Sequence, residues 1–434
     1  VSEQERHDTR LDRFVDSYSQ RTNGMRVSAV RALFAVANRP EIVSLAGGMP
    51  NIADLPLHGI AQSIAAMIEH NGAQVMQYGS GQGELGLREQ ILEVVALEGI
   101  TAHPDDIVIT AGSQQGLDLV TRIFCDPGDV ILAESPSYVG AIGTFLSYQT
   151  EVVHIPGDDG GIDPVALLET TRRLRAEGKR VKFLYTIPNY NNPSGTTQSM
   201  ERRREVLSVC ESQGVIVVED NPYGLLSLDA DPIPAMRSID PNVIYLGSFS
   251  KTFAPGFRVG WTLAPHGVRE KLVLAQESAT LCPPVFSQFA ISTYLSTQDW
   301  QGQIGVFKDM YRQRRDAMLT GLEEHMPEGS TWTHPAGGFF VWATLPEGVD
   351  SQAMLPRAVD ARVAYVPGPA FYADGDGARN VRLSYCFPTP ERIRVGVQRF
   401  ADVIRNELEV MSTFGIRVSP TRLRRAPGPS PDLT

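Results

Sequence analysis

The sequence is poor in several things, and each scarcity closes off a class of protein. Only four cysteines occur among 434 residues (Cys125, Cys210, Cys282, Cys386), widely scattered and without a C-x-x-C pair. That argues against a disulfide framework or a thiolate zinc site and suits free thiols in a reducing cytoplasm. No run approaches the ~20 apolar residues needed to span a bilayer, so no membrane association is expected. Val1 to Arg26 is polar and charged, without the apolar centre of a signal peptide. Positive charge is also short: 39 Lys and Arg stand against 50 Asp and Glu, a net charge of −11. A protein that grips nucleic acid needs a basic surface, so the charge argues against a nucleic-acid partner and none is expected. There is no internal repeat.

What remains is an ordinary globular composition, 42% hydrophobic and 21% charged, long enough for a large domain and a smaller one. Short β-branched runs alternate with longer amphipathic stretches. The runs predict strands at Ile107–Thr110, Val130–Ala133, Val152–Ile155, Val181–Thr186, Val215–Val218, Val243–Gly247 and Gly260–Ala264. Helical patterns such as Gln115–Phe124 and Met200–Gln213 lie between them. Apolar strands separated by helices predict an α/β fold with a mostly parallel sheet covered on both faces. From about Phe286 the pattern turns helical, and a second strand set follows at Phe339–Thr344, Arg362–Tyr365 and Asn380–Ser384. The expected domains are residues 44–318, large, and 319–414, small, the latter completed by an N-terminal arm, residues 1–43. The Pro- and Arg-rich end, 415–434, cannot bury enough apolar surface to order itself.

In open parallel sheets, ligands bind beyond the carboxyl ends of the strands. Three such ends carry reactive side chains: Pro188-Asn-Tyr-Asn-Asn-Pro-Ser-Gly195, Glu219-Asp220-Asn-Pro-Tyr223 and Ser248-Phe-Ser-Lys251. A lysine is ordinarily a solvated surface group. Lys251, flanked by hydroxyl residues and followed by Arg258 between glycines, is instead a candidate Schiff-base former beside a phosphate-binding guanidinium. Asp220 could be a turn aspartate. At the end of Val-Ile-Val-Val, however, it would be costly to bury without a cationic partner, and a protonated pyridine nitrogen is such a partner. The junction Thr110-Ala-Gly-Ser-Gln-Gln115 starts a helix, whose free amides form an anion site. Gly81-Gln-Gly83-Glu-Leu-Gly86 matches the dinucleotide fingerprint G-x-G-x-x-G but follows no convincing strand. It is read as a glycine-rich loop entering a helix at Leu87–Ala96.

Together these residues resemble the fold type I pyridoxal-phosphate (PLP) aminotransferases of class I/II, and within them the 2-aminoadipate, kynurenine and aromatic branch. The resemblance runs from about Ser28 to Leu408. Its most specific stretches are Ser44-Leu-Ala-Gly-Gly-Met-Pro50, Pro188 to Gly195, Glu219 to Tyr223 and Ser248 to Trp261. It implies a seven-stranded sheet, a PLP cofactor on Lys251, and Asp220 on the pyridine nitrogen. Asn192 and Tyr223 would bond the ring hydroxyl, and Tyr138 would stack on the ring. Ser113, Gln114, Ser248, Ser250 and Arg258 would hold the phosphate, with Tyr78 reaching it from the other subunit of a homodimer with shared active sites. Arg382 would clamp the substrate α-carboxylate, beside Gly48 and Asn192, and Arg31 would meet a side-chain carboxylate. Where the branch often has Thr, this chain has Ser194, which keeps the hydroxyl.

The implied activity moves an amino group between an L-amino acid and a 2-oxo acid such as 2-oxoglutarate. The aromatic residues Tyr138, Tyr190, Phe371 and Phe387 are expected near the pocket and suit an aromatic or long aliphatic side chain. The cofactor motifs leave open a PLP-dependent lyase, decarboxylase or oxidase, since the cofactor supplies the chemistry. A catalytically idle relative would be free to lose the lysine, aspartate and arginines that are kept here. About 25 residues precede the resemblance, too few for the DNA-binding domain of aminotransferase-like regulators.

Overall fold

The structure, a computed structural model, describes residues 14–25, Leu33 and residues 39–414. Arg31 and the segment 415–434 lie outside the described residues.

A seven-stranded sheet forms the centre. Its order is Ile107–Thr110, Gly260–Leu263, Ile244–Ser248, Ile216–Asp220, Val181–Thr186, Val130–Glu134, Glu151–Ile155. Each of the seven strands lies within one residue of its expected position at either end, apart from the Val215–Val218 run, which continues to Asp220. Pairing is parallel except for Gly260–Leu263, which runs antiparallel to both neighbours.

The strands are buried on both faces because helices cover both, and side-chain alternation sorts each strand between two layers. Phe183 and Tyr185 face one layer with Val218 and Leu246, under Leu117 and Val120 of the Ser113–Phe124 helix and Phe145 of the Val139–Ser147 helix. Leu184 faces the other with Val217 and Val243, against Leu167, Leu174 and Val206 of the helices Pro164–Ala176 and Met200–Ser212. The same alternation places Asp220 on the Tyr185 face, two residues beyond Val218, which is paired with Tyr185.

A second sheet of four antiparallel strands follows, ordered Thr331–Trp332, Phe340–Thr344, Asn380–Ser384, Val366–Pro367. Val43–Ser44 pairs with Val363–Ala364 in parallel. The helix Trp300–His325 passes without a break through the boundary expected at residue 318 and packs on the helix Pro390–Thr413. Gly81 to Glu84 form a loop preceded by a helix, Leu57–Val75, rather than by a strand. This rules out a dinucleotide-binding βαβ unit there. Among the described residues no helix is long and apolar enough to cross a membrane.

Candidate active site

One cavity of about 390 Å³ opens at the carboxyl edge of the large sheet. It gathers side chains that are far apart in the chain. The Ile216–Asp220 strand delivers Asp220, and the turn after it delivers Tyr223. The Ile244–Ser248 strand ends in Ser248 and leads to Ser250 and Lys251. Ser113 and Gln114 come from the first turn of their helix, Tyr138 from just before the Val139–Ser147 helix, and Asn192 from the loop after Thr186. Gly48 and Arg382 arrive from the segment before the large sheet and from the Asn380–Ser384 strand.

Three charges define the electrostatics. Lys251 donates from Nζ to the Gly48 carbonyl at 2.8 Å. Burial is the main reason its amine is lowered from 10.5 to about 8, because an enclosed ammonium loses its hydration. Asp220 is 4% exposed, and burial raises its carboxyl to about 6. Its Oδ2 accepts a hydrogen bond from the Tyr185 hydroxyl at 2.8 Å, while Oδ1 is buried with no partner among the described residues. A buried acceptor left unmatched in this way costs ~1–3 kcal/mol. Arg382 is 2% exposed, and burial lowers its guanidinium to about 10. It donates to Asn192 Oδ1 at 2.8 Å and to the Ala46 carbonyl at 2.7 Å, and its Nε has no partner among the described residues. The rings of Phe340 and Phe371 lie 4.1 and 5.1 Å from its guanidinium carbon, fixing its plane.

The opposite corner of the cavity is built for an anion. The helix at Ser113 starts from Gly112 with no side-chain cap, which leaves amide donors and the positive helix end facing the cavity. Gly112 has φ +81°, and a Cβ there would stand 2.6 Å from Arg258 Nη2. Glycine therefore lets the arginine lie against the helix start. Arg258 itself is left-handed, φ 54°, an uncommon state for a side-chain-bearing residue, and it donates to the Ala111 carbonyl at 2.9 Å. Ser248 and Ser250 hydroxyls are 2.9 Å apart beside it.

Not every expected residue joins the cavity. Tyr78 is 77% exposed and does not line it. Arg31 lies outside the described residues. Phe371 backs Arg382 rather than lining the cavity, while Tyr190 and Phe387 do not line it, Phe387 being 57% exposed. The aromatic lining expected from those four residues reduces to Tyr138, joined by Tyr223 and Phe340.

Sequence reading missed Met49, Leu117, Val139, Ile187 and Phe340 in the wall. Met49 lies in a stretch singled out for its resemblance, without a role of its own, and the other four read as core residues in one dimension. It also missed Glu134, whose buried carboxylate accepts from the Ile187 amide at 2.6 Å and from Asn191 Nδ2 at 2.5 Å. Those bonds hold the loop that presents Asn192. The only signal was a glutamate closing an otherwise apolar strand, Val-Ile-Leu-Ala-Glu134.

An amine, an anion cradle and a buried guanidinium around one cavity at this sheet edge are the equipment of a fold type I transferase acting on amino groups. Comparison with known proteins narrows the class. The sequence model of "Aminotransferase class I and II" matches residues 46–400. Aromatic-amino-acid aminotransferase 1 of Thermococcus litoralis is 42% identical over 396 residues, 90% of this chain and 95% of that one. The 2-aminoadipate transaminase of Thermus thermophilus is 33% identical over 91% of this chain and 98% of its own. The crystal structure of Pyrococcus horikoshii kynurenine aminotransferase, in complex with PMP, superposes with a TM-score of 0.86 at 40% identity, over 90% of this chain and 97% of that one. The chain belongs to the class I and II aminotransferase family. It is an aminotransferase, a transferase of nitrogenous groups, and members of this family work with pyridoxal phosphate.

Proposed function

We propose that the cavity holds pyridoxal phosphate and exchanges an amino group between an aromatic or 2-aminoadipate-like L-amino acid and a 2-oxo acid such as 2-oxoglutarate. The observation that carries this reading is Asp220. A fully enclosed carboxylate with one oxygen unmatched faces the same cavity as Lys251 and Arg382, and a protonated pyridine nitrogen is the donor it lacks. Relatives named for aromatic, 2-aminoadipate and kynurenine substrates support the donor class.

When bound, the cofactor supplies a carbonyl that condenses with amines and a ring that accepts the electrons of a broken Cα–H bond. The chain's residues do the rest. Lys251 would hold the cofactor through its amine and would serve as the base that moves the Cα proton, and its lowered basicity suits that task near neutral pH. Asp220 holds a proton at the ring nitrogen. Asn192 and Tyr223 orient the ring hydroxyl, and Tyr138 covers the ring face. Ser113, Gln114, Ser248, Ser250 and Arg258 hold the phosphate. Arg382 grips the substrate α-carboxylate with Gly48 and Asn192 beside it. Arg31 is assigned to a side-chain carboxylate of dicarboxylic substrates.

The working unit is a homodimer with shared active sites. The outward Tyr78 of each copy completes the phosphate site of the other. Residues 44–318 form the cofactor domain, and 319–414 with the N-terminal segment to residue 43 form the smaller one. The four free thiols fit a cytoplasmic enzyme of amino-acid metabolism.

The direct test is the visible spectrum of the purified protein. Its cofactor band should collapse with an aromatic amino acid or 2-aminoadipate and return with 2-oxoglutarate, without release of carbon dioxide or ammonia. Release of either gas would assign a lyase, decarboxylase or oxidase instead.

Two further results are expected. Because the unprotonated amine is the nucleophile, the rate at which cofactor-free protein captures pyridoxal phosphate should rise with pH and level off above about 8. A flat profile between pH 6 and 9 would show that Lys251 is not the capturing group. Gly112→Ala should weaken cofactor affinity by about tenfold, since a Cβ standing 2.6 Å from Arg258 Nη2 displaces that guanidinium and a hydrogen bond to a charged group is worth roughly 1.5–3 kcal/mol. Fluorescence titration of the variant would check it, and unchanged affinity would remove Arg258 from the cradle.

A further inference from the structure

Tyr185 lies outside the residues that line the cavity, yet its hydroxyl makes the sole hydrogen bond found for the Asp220 carboxylate among the described residues. Both side chains are almost wholly enclosed. The sheet explains the contact. Tyr185 pairs in register with Val218 in the neighbouring parallel strand, so both point to the same face. Asp220 is two residues further along, again on that face, within reach of a side chain as long as tyrosine. The ring is fixed edge-on against Phe145, centroids 5.4 Å apart, inside the helix-covered layer.

We infer that Tyr185 is a positioning residue for the reaction: its hydroxyl holds Asp220 Oδ2, keeps the carboxylate ionised, and turns the unmatched Oδ1 toward the cofactor ring. This rests on the reading of the cavity as a pyridoxal-phosphate site. Three considerations support it. A phenol donates to an anion and has little use for a neutral carboxyl's proton, so the contact favours the charged form of Asp220. The other groups facing Asp220 are Lys251, which also favours its charge, and the neutral phenols Tyr138 and Tyr223. No further donor to Asp220 is present among the described residues to replace the bond. Burial alone raises the Asp220 carboxyl, and the Tyr185 bond acts against that rise.

The sign of the effect follows. Below its own pKa in the empty protein, Asp220 must lose a proton to pair with a protonated ring. The variant Tyr185→Phe raises that pKa, so its affinity loss appears at acid pH. Above pH 8 Asp220 is ionised both free and bound, the missing bond weighs equally on the two states, and affinity is nearly unchanged. Pyridoxamine phosphate is the probe, because it binds without reacting with Lys251. Its dissociation constant for cofactor-free protein is measured by fluorescence from pH 5 to 9. For Tyr185→Phe the acid limb should move up by about one pH unit, with roughly tenfold weaker binding at pH 5.5. Phe145→Leu, which loosens the ring's packing but keeps the hydroxyl, should lower thermal stability and leave the limb in place. Superimposed curves for wild type and Tyr185→Phe overturn the inference, as does an equal shift in Phe145→Leu. A wild-type protein that binds no pyridoxamine phosphate overturns the cofactor reading itself, and the inference with it.

Discussion

Lys251→Ala is expected to lose the visible cofactor band and at least about 10³-fold in turnover, within the range for removing a positioned acid–base that also carries the cofactor. Two roles disappear together, which is why the loss exceeds that of a simple proton shuttle. The variant should still fold. Among the described residues the amine bonds only the Gly48 carbonyl, and that carbonyl sits on a segment held independently by Arg382 through Ala46 and by Cys386, whose thiol lies 3.1 Å from the Met49 carbonyl. The check is a single-turnover assay with added pyridoxal phosphate beside a thermal melt. Full activity in a protein that melts normally would end the assignment of Lys251.

The second large effect belongs to Arg382. Arg382→Ala should lower kcat/KM for amino acids by about 10²–10³, the ~3–4 kcal/mol expected when one member of a buried charge pair is removed. Lysine should rescue little, because a single ammonium cannot replace two parallel donors on a carboxylate. Part of any loss could come from the fold. Asn192 Oδ1 and the Ala46 carbonyl lose their donor, and the space between Phe340 and Phe371 is emptied. The comparison that isolates recognition is between an amino acid and the amine lacking its carboxylate. The variant should lose its preference for the acid, whereas equal losses on both would make Arg382 purely structural.

The two roles differ in how visible they were beforehand. Asp220 closes an apolar strand, Lys251 follows another within a hydroxyl-rich turn, and Arg258 stands in a glycine-flanked turn just before a third. That local pattern marks a sheet's carboxyl edge without any knowledge of packing. Arg382 has no such context, being inside a strand, and only its resemblance to a family pattern singled it out. Tyr185 and Phe340 were invisible because an aromatic residue in an apolar strand reads as core. Tyr190 and Phe387 were over-read for the converse reason: proximity in sequence to site residues does not put a side chain in the cavity.

The sequence by itself determined the α/β class and all seven strands of the large sheet, and it singled out Lys251, Asp220, Ser113, Gln114, Ser248, Ser250 and Arg258, which the fold brings to one cavity at the carboxyl edge. Those features follow from short-range period and turn chemistry, which a linear chain displays directly. Only the tertiary structure decided that Gly260–Leu263 runs antiparallel and that one helix crosses the expected domain boundary. It also decided that Asp220 keeps one oxygen free while Tyr185 occupies the other, and that Phe340 and Phe371 flank Arg382. Each of these depends on which strands become neighbours and on which face a side chain leaves the sheet. Such long-range pairings are set by packing over the whole core rather than by any local run of residues.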